Sequence, residues 1–64
     1  ALGTSTATPS AALDITSTTG ALLLPRMTTT QRNALTAVNG MMIYNTTDAK
    51  FQGYEAGAWV NLGL

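Results

Sequence analysis

A chain of 64 residues with neither cysteine nor histidine lacks the disulfides, and nearly all of the metal sites, that hold most very small domains together. At this size folding buries only about 60% of the surface the unfolded chain exposes, so a single core is marginal. Association with further copies is the support that remains. The surface chemistry agrees: 9% of the residues are charged and 45% are hydrophobic, where an ordinary globular domain carries about 25% charge. A monomer of this composition is short of groups to keep its surface solvated.

The few charges cancel, Arg26, Arg32 and Lys50 against Asp14, Asp48 and Glu55. That balance leaves no basic footprint for nucleic acid and no polybasic segment for a membrane surface. The longest apolar run, Ala21 to Leu24, falls far short of the about 18 residues a spanning helix needs. Neither nucleic acid nor a membrane is an expected partner. Ala1 opens the sequence without a methionine, and Gly3 to Ser10, GTSTATPS, has the composition of a linker. The expectation is a segment excised from a longer polypeptide, with simple methionine removal as the alternative. The lack of cysteine suits a virion or extracellular setting without requiring it, since small cytosolic domains often lack cysteine too.

Local patterns divide the chain into a lead and a β-rich body. Residues 1–12 show neither helical nor strand periodicity and are expected as an extended linker ahead of a module over residues 13–64. Leu13 to Thr16 alternates as a half-buried strand does, and Ser17 to Gly20 supplies a turn in which Gly20 is free to adopt positive φ. Ala21 to Leu24 reads as a buried strand stopped by Pro25, which cannot donate a backbone hydrogen bond and holds Leu24 extended. Thr28, Thr29 or Thr30 can cap a helix, and Thr28 and Gln31 have capping-box spacing, which predicts a helix from Thr29 to about Leu35. Val38-Asn39-Gly40 is a turn signal. Three strands follow as a meander: Met41 to Thr46, Lys50 to Glu55 and Trp59 to Leu62, joined at Thr47-Asp48-Ala49 and at Ala56-Gly57. The two-residue period puts Phe51 and Gly53 on one face, Gln52 and Tyr54 on the other, and Val60 opposite Trp59 and Asn61.

A sheet with two faces needs at least one of them covered. Besides Leu22-Leu23-Leu24-Pro25-Arg26-Met27 and a helix too short to be stable alone, the protomer has little to cover it with. The remaining cover is expected from a neighbouring copy. The fold class is thus mainly β with one short helix, a small β-meander assembled as an intertwined oligomer.

The residues also carry a resemblance. Leu23-Leu24-Pro25-Arg26-Met27-Thr28, Gln31-Arg32, Tyr44-Asn45 and Ala58-Trp59-Val60, with the lead from Gly3 to Ile15, resemble a recurrent segment of bacteriophage tail-fibre proteins and of bacterial surface proteins, notably those of Bacteroidetes. The resemblance covers nearly the whole chain and departs from the pattern in the lead, where Ala7 and Thr8 lengthen the spacing before Pro9. It implies a non-enzymatic module of a fibrous, usually trimeric, attachment protein located on a virion or cell surface. It is the resemblance, and not the residue pattern, that implies a homotrimer.

Catalysis is poorly supported, because the common nucleophile and base pairs need His or Cys. Asp48 and Glu55 flank a strand, and paired carboxylates are what a glycosidase uses, but both read as turn residues. Three scattered carboxylates make at best a weak Ca²⁺ site, so no catalytic residue, metal or cofactor is expected. The tripeptide Asn45-Thr46-Thr47 matches a glycosylation sequon that matters only in a secreted eukaryotic protein. The expected function is a structural trimerisation and folding module of a fibre. Its subunit interface would draw on Leu22, Leu23, Leu24, Arg26, Met27, Met41, Ile43, Trp59 and Val60, burying apolar area at about 25 cal/mol per Å². Arg26, beside a buried strand end, is expected to reach across a subunit boundary to a carboxylate, with Asp14 the first candidate. Arg32 could reach Glu55 or Asp48 in the same way, against the simpler alternative of an exposed helix face. The rival function is a receptor- or glycan-binding tip, with Tyr44 and Tyr54 as contacts and Asn45, Gln52 and Asn61 as polar neighbours.

Overall fold

The structure, a computed structural model, describes residues 8–63. Its elements in chain order are β1 (Arg26–Met27), α1 (Thr29–Asn33), β2 (Met42–Asn45), β3 (Lys50–Glu55) and β4 (Ala58–Asn61). They form one four-stranded sheet in the order β1-β2-β3-β4. The last three strands are the expected antiparallel meander, and β1 joins it parallel to β2, with α1 in the crossover.

Turn chemistry sets the meander's register. Between β3 and β4 the chain reverses in two residues, Ala56 at φ 51° and Gly57 at φ 81°. Two positive φ values mark a type I′ turn, whose twist matches that of the flanking strands. Asn45 faces Lys50 across the β2–β3 loop, and its Oδ1 accepts from the backbone N–H groups of Thr47 and Asp48 at 2.9 and 3.1 Å. Ahead of β2 the Met41 N–H reaches the Val38 carbonyl, with Gly40 at φ 101°, a type II turn that needs a residue free of Cβ strain at that position. Asn39 Oδ1 accepts from the Gly57 N–H at 2.9 Å and ties these two turns together.

The helix begins as its capping box predicts. Thr28 accepts from the Gln31 N–H while the Gln31 side chain accepts from the Thr28 N–H. It then stops after 5 residues, at Asn33 rather than near Leu35, and buries none of its side chains fully. Polar contacts hold it in place, including the Thr29 N–H on Thr47 Oγ1 at 3.2 Å.

Three expectations for the first half of the chain are corrected. Ala21 to Leu24 is not a strand of the sheet; pairing begins at the Pro25 carbonyl, which accepts from the Tyr44 N–H, and ends at the Met27 carbonyl, which accepts from the Thr46 N–H. Proline's missing N–H costs nothing where only its carbonyl is used. Leu13 to Thr16 does not form a strand either, and only Ile15 has a bridge geometry. The Ser17 to Gly20 turn is present but rests on Ser17 Oγ, which accepts from the Thr19 and Gly20 N–H groups; Gly20 does not use positive φ. Residues 1–7 of the expected linker lie outside the described residues. Thr8 to Ala11 closes a turn, with the Ala11 N–H on the Thr8 carbonyl and Ser10 at φ 72°.

Candidate functional site

The sheet has two faces, and pairing assigns each residue to one. Ile43, Gln52 and Asn61 stand opposite one another, as do Tyr54 and Trp59. Asn45 and Met27 share that side, where α1 lies. Met42, Gly53 and Val60 stand opposite one another on the other side, with Tyr44 beside Phe51 and Arg26 beside Tyr44.

The helix side is a closed polar network. Asn45 is 0% exposed and Gln52 4%, and each uses all its hydrogen-bonding capacity. Asn45 Nδ2 donates to Thr29 Oγ1 and to Gln52 Oε1, both at 3.0 Å, while its oxygen takes the two loop N–H groups. Gln52 Oε1 also accepts from Arg32 at 3.0 Å, and its amide nitrogen donates to Asn61 Oδ1 at 2.9 Å and Asp48 Oδ2 at 3.3 Å. Arg32 lies 5.7 Å from the centre of the Trp59 ring, which packs edge-on against Tyr54. Two charges, Arg32 and Asp48, are therefore bridged by one amide. No buried side-chain polar atom among the described residues lacks a partner.

The other side is apolar and bare. Ile43 is the core's buried hydrophobic residue among those described, at 4% exposure, whereas Leu23 stands 70% exposed, Phe51 52% and Met42 50%. Tyr44 and Phe51 meet edge-on at 4.9 Å. Two shallow grooves cross this face. One, of about 200 Å³, runs between Leu22, Leu23, Leu24 and the pair Tyr44 and Phe51, with Arg26 on its wall. The other, of about 220 Å³, lies over Gly53 between Met42 and Leu62, with Glu55 on its wall. A Cβ on Gly53 would come within 3.1 Å of Leu62, so glycine is what lets the chain's end lie down on the sheet.

Of the residues expected at the interface, Leu22, Leu23, Leu24, Arg26 and Val60 belong to the bare side, and Met41 sits at the rim of the second groove. Met27, Ile43 and Trp59 belong to the helix side, where Ile43 has almost no surface left to offer. Tyr44 and Tyr54 fall on opposite faces, and the Tyr54 hydroxyl donates to the Gly57 carbonyl at 3.0 Å. Asp14 accepts from the Thr8 N–H at 2.6 Å, and among the described residues no hydrogen bond joins it to Arg26. The Thr8 hydroxyl and N–H together hold the Asp14 carboxyl below its ordinary value of 3.8. Arg32 pairs with an amide rather than directly with Glu55 or Asp48. Sequence reasoning missed Asn45 and Gln52 as structural residues. The usable signal was their alternation with Ile43 and Tyr54, which puts the amides of three strands on one face.

Among the described residues no three His, Cys, Asp or Glu side chains gather as a metal site would require, and no helix is long and apolar enough to cross a membrane. The sequence model of a protein family described as a phage tail like trimerisation region matches residues 1–64, the whole chain. No curated protein and no solved structure matches it.

Proposed function

The chain belongs to the phage tail-like trimerisation family, and from that premise we propose that three copies associate through the bare face of the sheet. Trimerisation is a structural function, and the observation that supports this face as its site is the contrast in satisfaction. Among the described residues one side has every buried side-chain polar group paired and a helix in place, whereas the other leaves Met42, Phe51 and Leu62 about half exposed.

In this reading the module sits in a fibre of a phage tail or a bacterial surface, on the virion or outside the cell, and holds three chains in register where host attachment needs three aligned strands of shaft. The rival reading, a receptor- or glycan-binding tip, loses its polar contacts, because Asn45 and Gln52 have no free donor or acceptor and Asn61 is engaged by Gln52. Sedimentation equilibrium of the chain at micromolar concentration should give three times the monomer mass, with a melting temperature that rises with concentration as mass action requires. A folded monomer under those conditions overturns the proposal.

A further inference from the structure

A closed ring of three copies cannot be built from one self-complementary patch. Threefold symmetry makes each contact heterologous, so every protomer must present two different surfaces that fit one another. The bare face carries such a pair. Its first groove is flanked by an outstanding knob, Leu23, which is the most exposed large hydrophobic side chain among those described, at 70%. Residues 21–24 belong to no element, and among the described residues their backbone groups make no hydrogen bonds within the protomer. The second groove is the matching hole, walled by Met42 and by Leu62, whose side chain itself lies over Gly53. The charges are complementary too: Arg26 lines the knob's groove and Glu55 lines the hole. Like-on-like packing would set Arg26 against Arg26, whereas knob-on-hole packing sets Arg26 against Glu55.

We propose that Leu23 of each protomer docks into the second groove of the next, between Met42 and Leu62, with Arg26 paired across that boundary to the neighbour's Glu55. The inference rests on the trimeric reading above and goes beyond it by naming the two halves of the contact. It also replaces Asp14 as the partner of Arg26, since the Asp14 carboxylate is already taken up by Thr8 within its own chain.

The chain has no cysteine, so engineered disulfides report without background. Leu23→Cys combined with Met42→Cys in the 64-residue chain should, on oxidation, give a covalent trimer on a non-reducing gel, since the bridges close a ring of three. Leu23→Cys with Thr30→Cys on the helix side should leave the chains unlinked. A trimer in sedimentation whose bridges form only within single chains, or whose covalent product stops at dimers, sinks the knob-and-hole contact while leaving trimerisation intact. A monomer in sedimentation for the unaltered chain removes both. Charge exchange provides a second arm that needs no disulfide geometry. Arg26→Glu should weaken the trimer by about tenfold or more in dissociation constant, and adding Glu55→Arg to the same chain should restore most of that loss. A double variant no tighter than Arg26→Glu alone overturns the pairing.

Discussion

The two faces of this sheet use the same backbone and solve opposite problems. On the helix side, a five-residue helix with no fully buried side chain is held by Thr29 and Arg32 to Asn45 and Gln52, and the polar atoms complete one another inside a single chain. On the other side, Met42, Tyr44, Phe51, Val60 and Leu62 offer area and no closure. Directional groups must be satisfied locally, because a buried amide left without a partner costs about 1–3 kcal/mol. Apolar area has no such direction and can wait for another molecule. In a chain with so small a core, hydrogen bonds specify the protomer, and the exposed apolar face is what the proposed trimer would bury.

The contrast can be broken from either side. The largest effect should come from Phe51→Asp, which sets an unpaired carboxylate in the middle of the bare face; we expect loss of trimer by about 3 kcal/mol or more, read as a shift to monomer mass in sedimentation. Thr30→Asp, on the outside of the helix, should change nothing measurable, and equal effects at the two sites would erase the distinction between the faces. Asn45→Ala should cost about 3 kcal/mol, because it strands the loop N–H groups of Thr47 and Asp48 and one lone pair of Gln52. That loss should appear in urea denaturation as a lower midpoint of the protomer's own unfolding.

Smaller changes sharpen the comparison. Thr28→Ala removes the cap on α1 and should lower stability by about 1 kcal/mol, with the trimer mass unchanged if the helix serves the closed side alone. Ala56→Asn places a residue tolerant of positive φ in the type I′ turn shared by both faces, and should raise stability by about 0.5–1 kcal/mol in thermal melts without altering association. The smallest effect concerns pH. The Asp14 carboxyl lies below its ordinary 3.8 in the folded chain, so whatever it contributes is fully present above that value and is lost as pH falls through the lower, folded one. Asp14→Asn should flatten that acid limb below about pH 4; an acid limb identical to that of the unaltered chain would show that the Thr8 contact does not contribute.

Much of the fold was legible because it is written locally. The capping box from Thr28 to Gln31, the Val38-Asn39-Gly40 turn and the Ala56-Gly57 reversal each depend on residues within four positions of one another, and all three stand where the residue types put them. The alternation that separated Phe51 from Gln52, and Val60 from Trp59, also holds. What failed was nonlocal. The Leu22-Leu23-Leu24 run has the composition of a buried strand, yet the sheet recruits Arg26 and Met27, because pairing with β2 depends on carbonyls at Pro25 and Met27 and not on the hydrophobicity of side chains. Arg32 read as an exposed helix residue, since nothing near it in sequence announces Gln52, twenty positions on, as its acceptor.

From the residue string alone come the elements, the division of the meander into two sets of side chains, and the shortage of core and charge that makes a solitary chain implausible. Those follow from backbone stereochemistry and from composition, which any window of the sequence carries. Tertiary structure decided which set the helix would cover, and so which set would stay exposed. That choice turns on the parallel crossover from β1 through α1 to β2, where Thr29 must meet Asn45, 16 positions on, and Arg32 must meet Gln52, 20 positions on, within hydrogen-bonding distance. Only the folded arrangement brings them there.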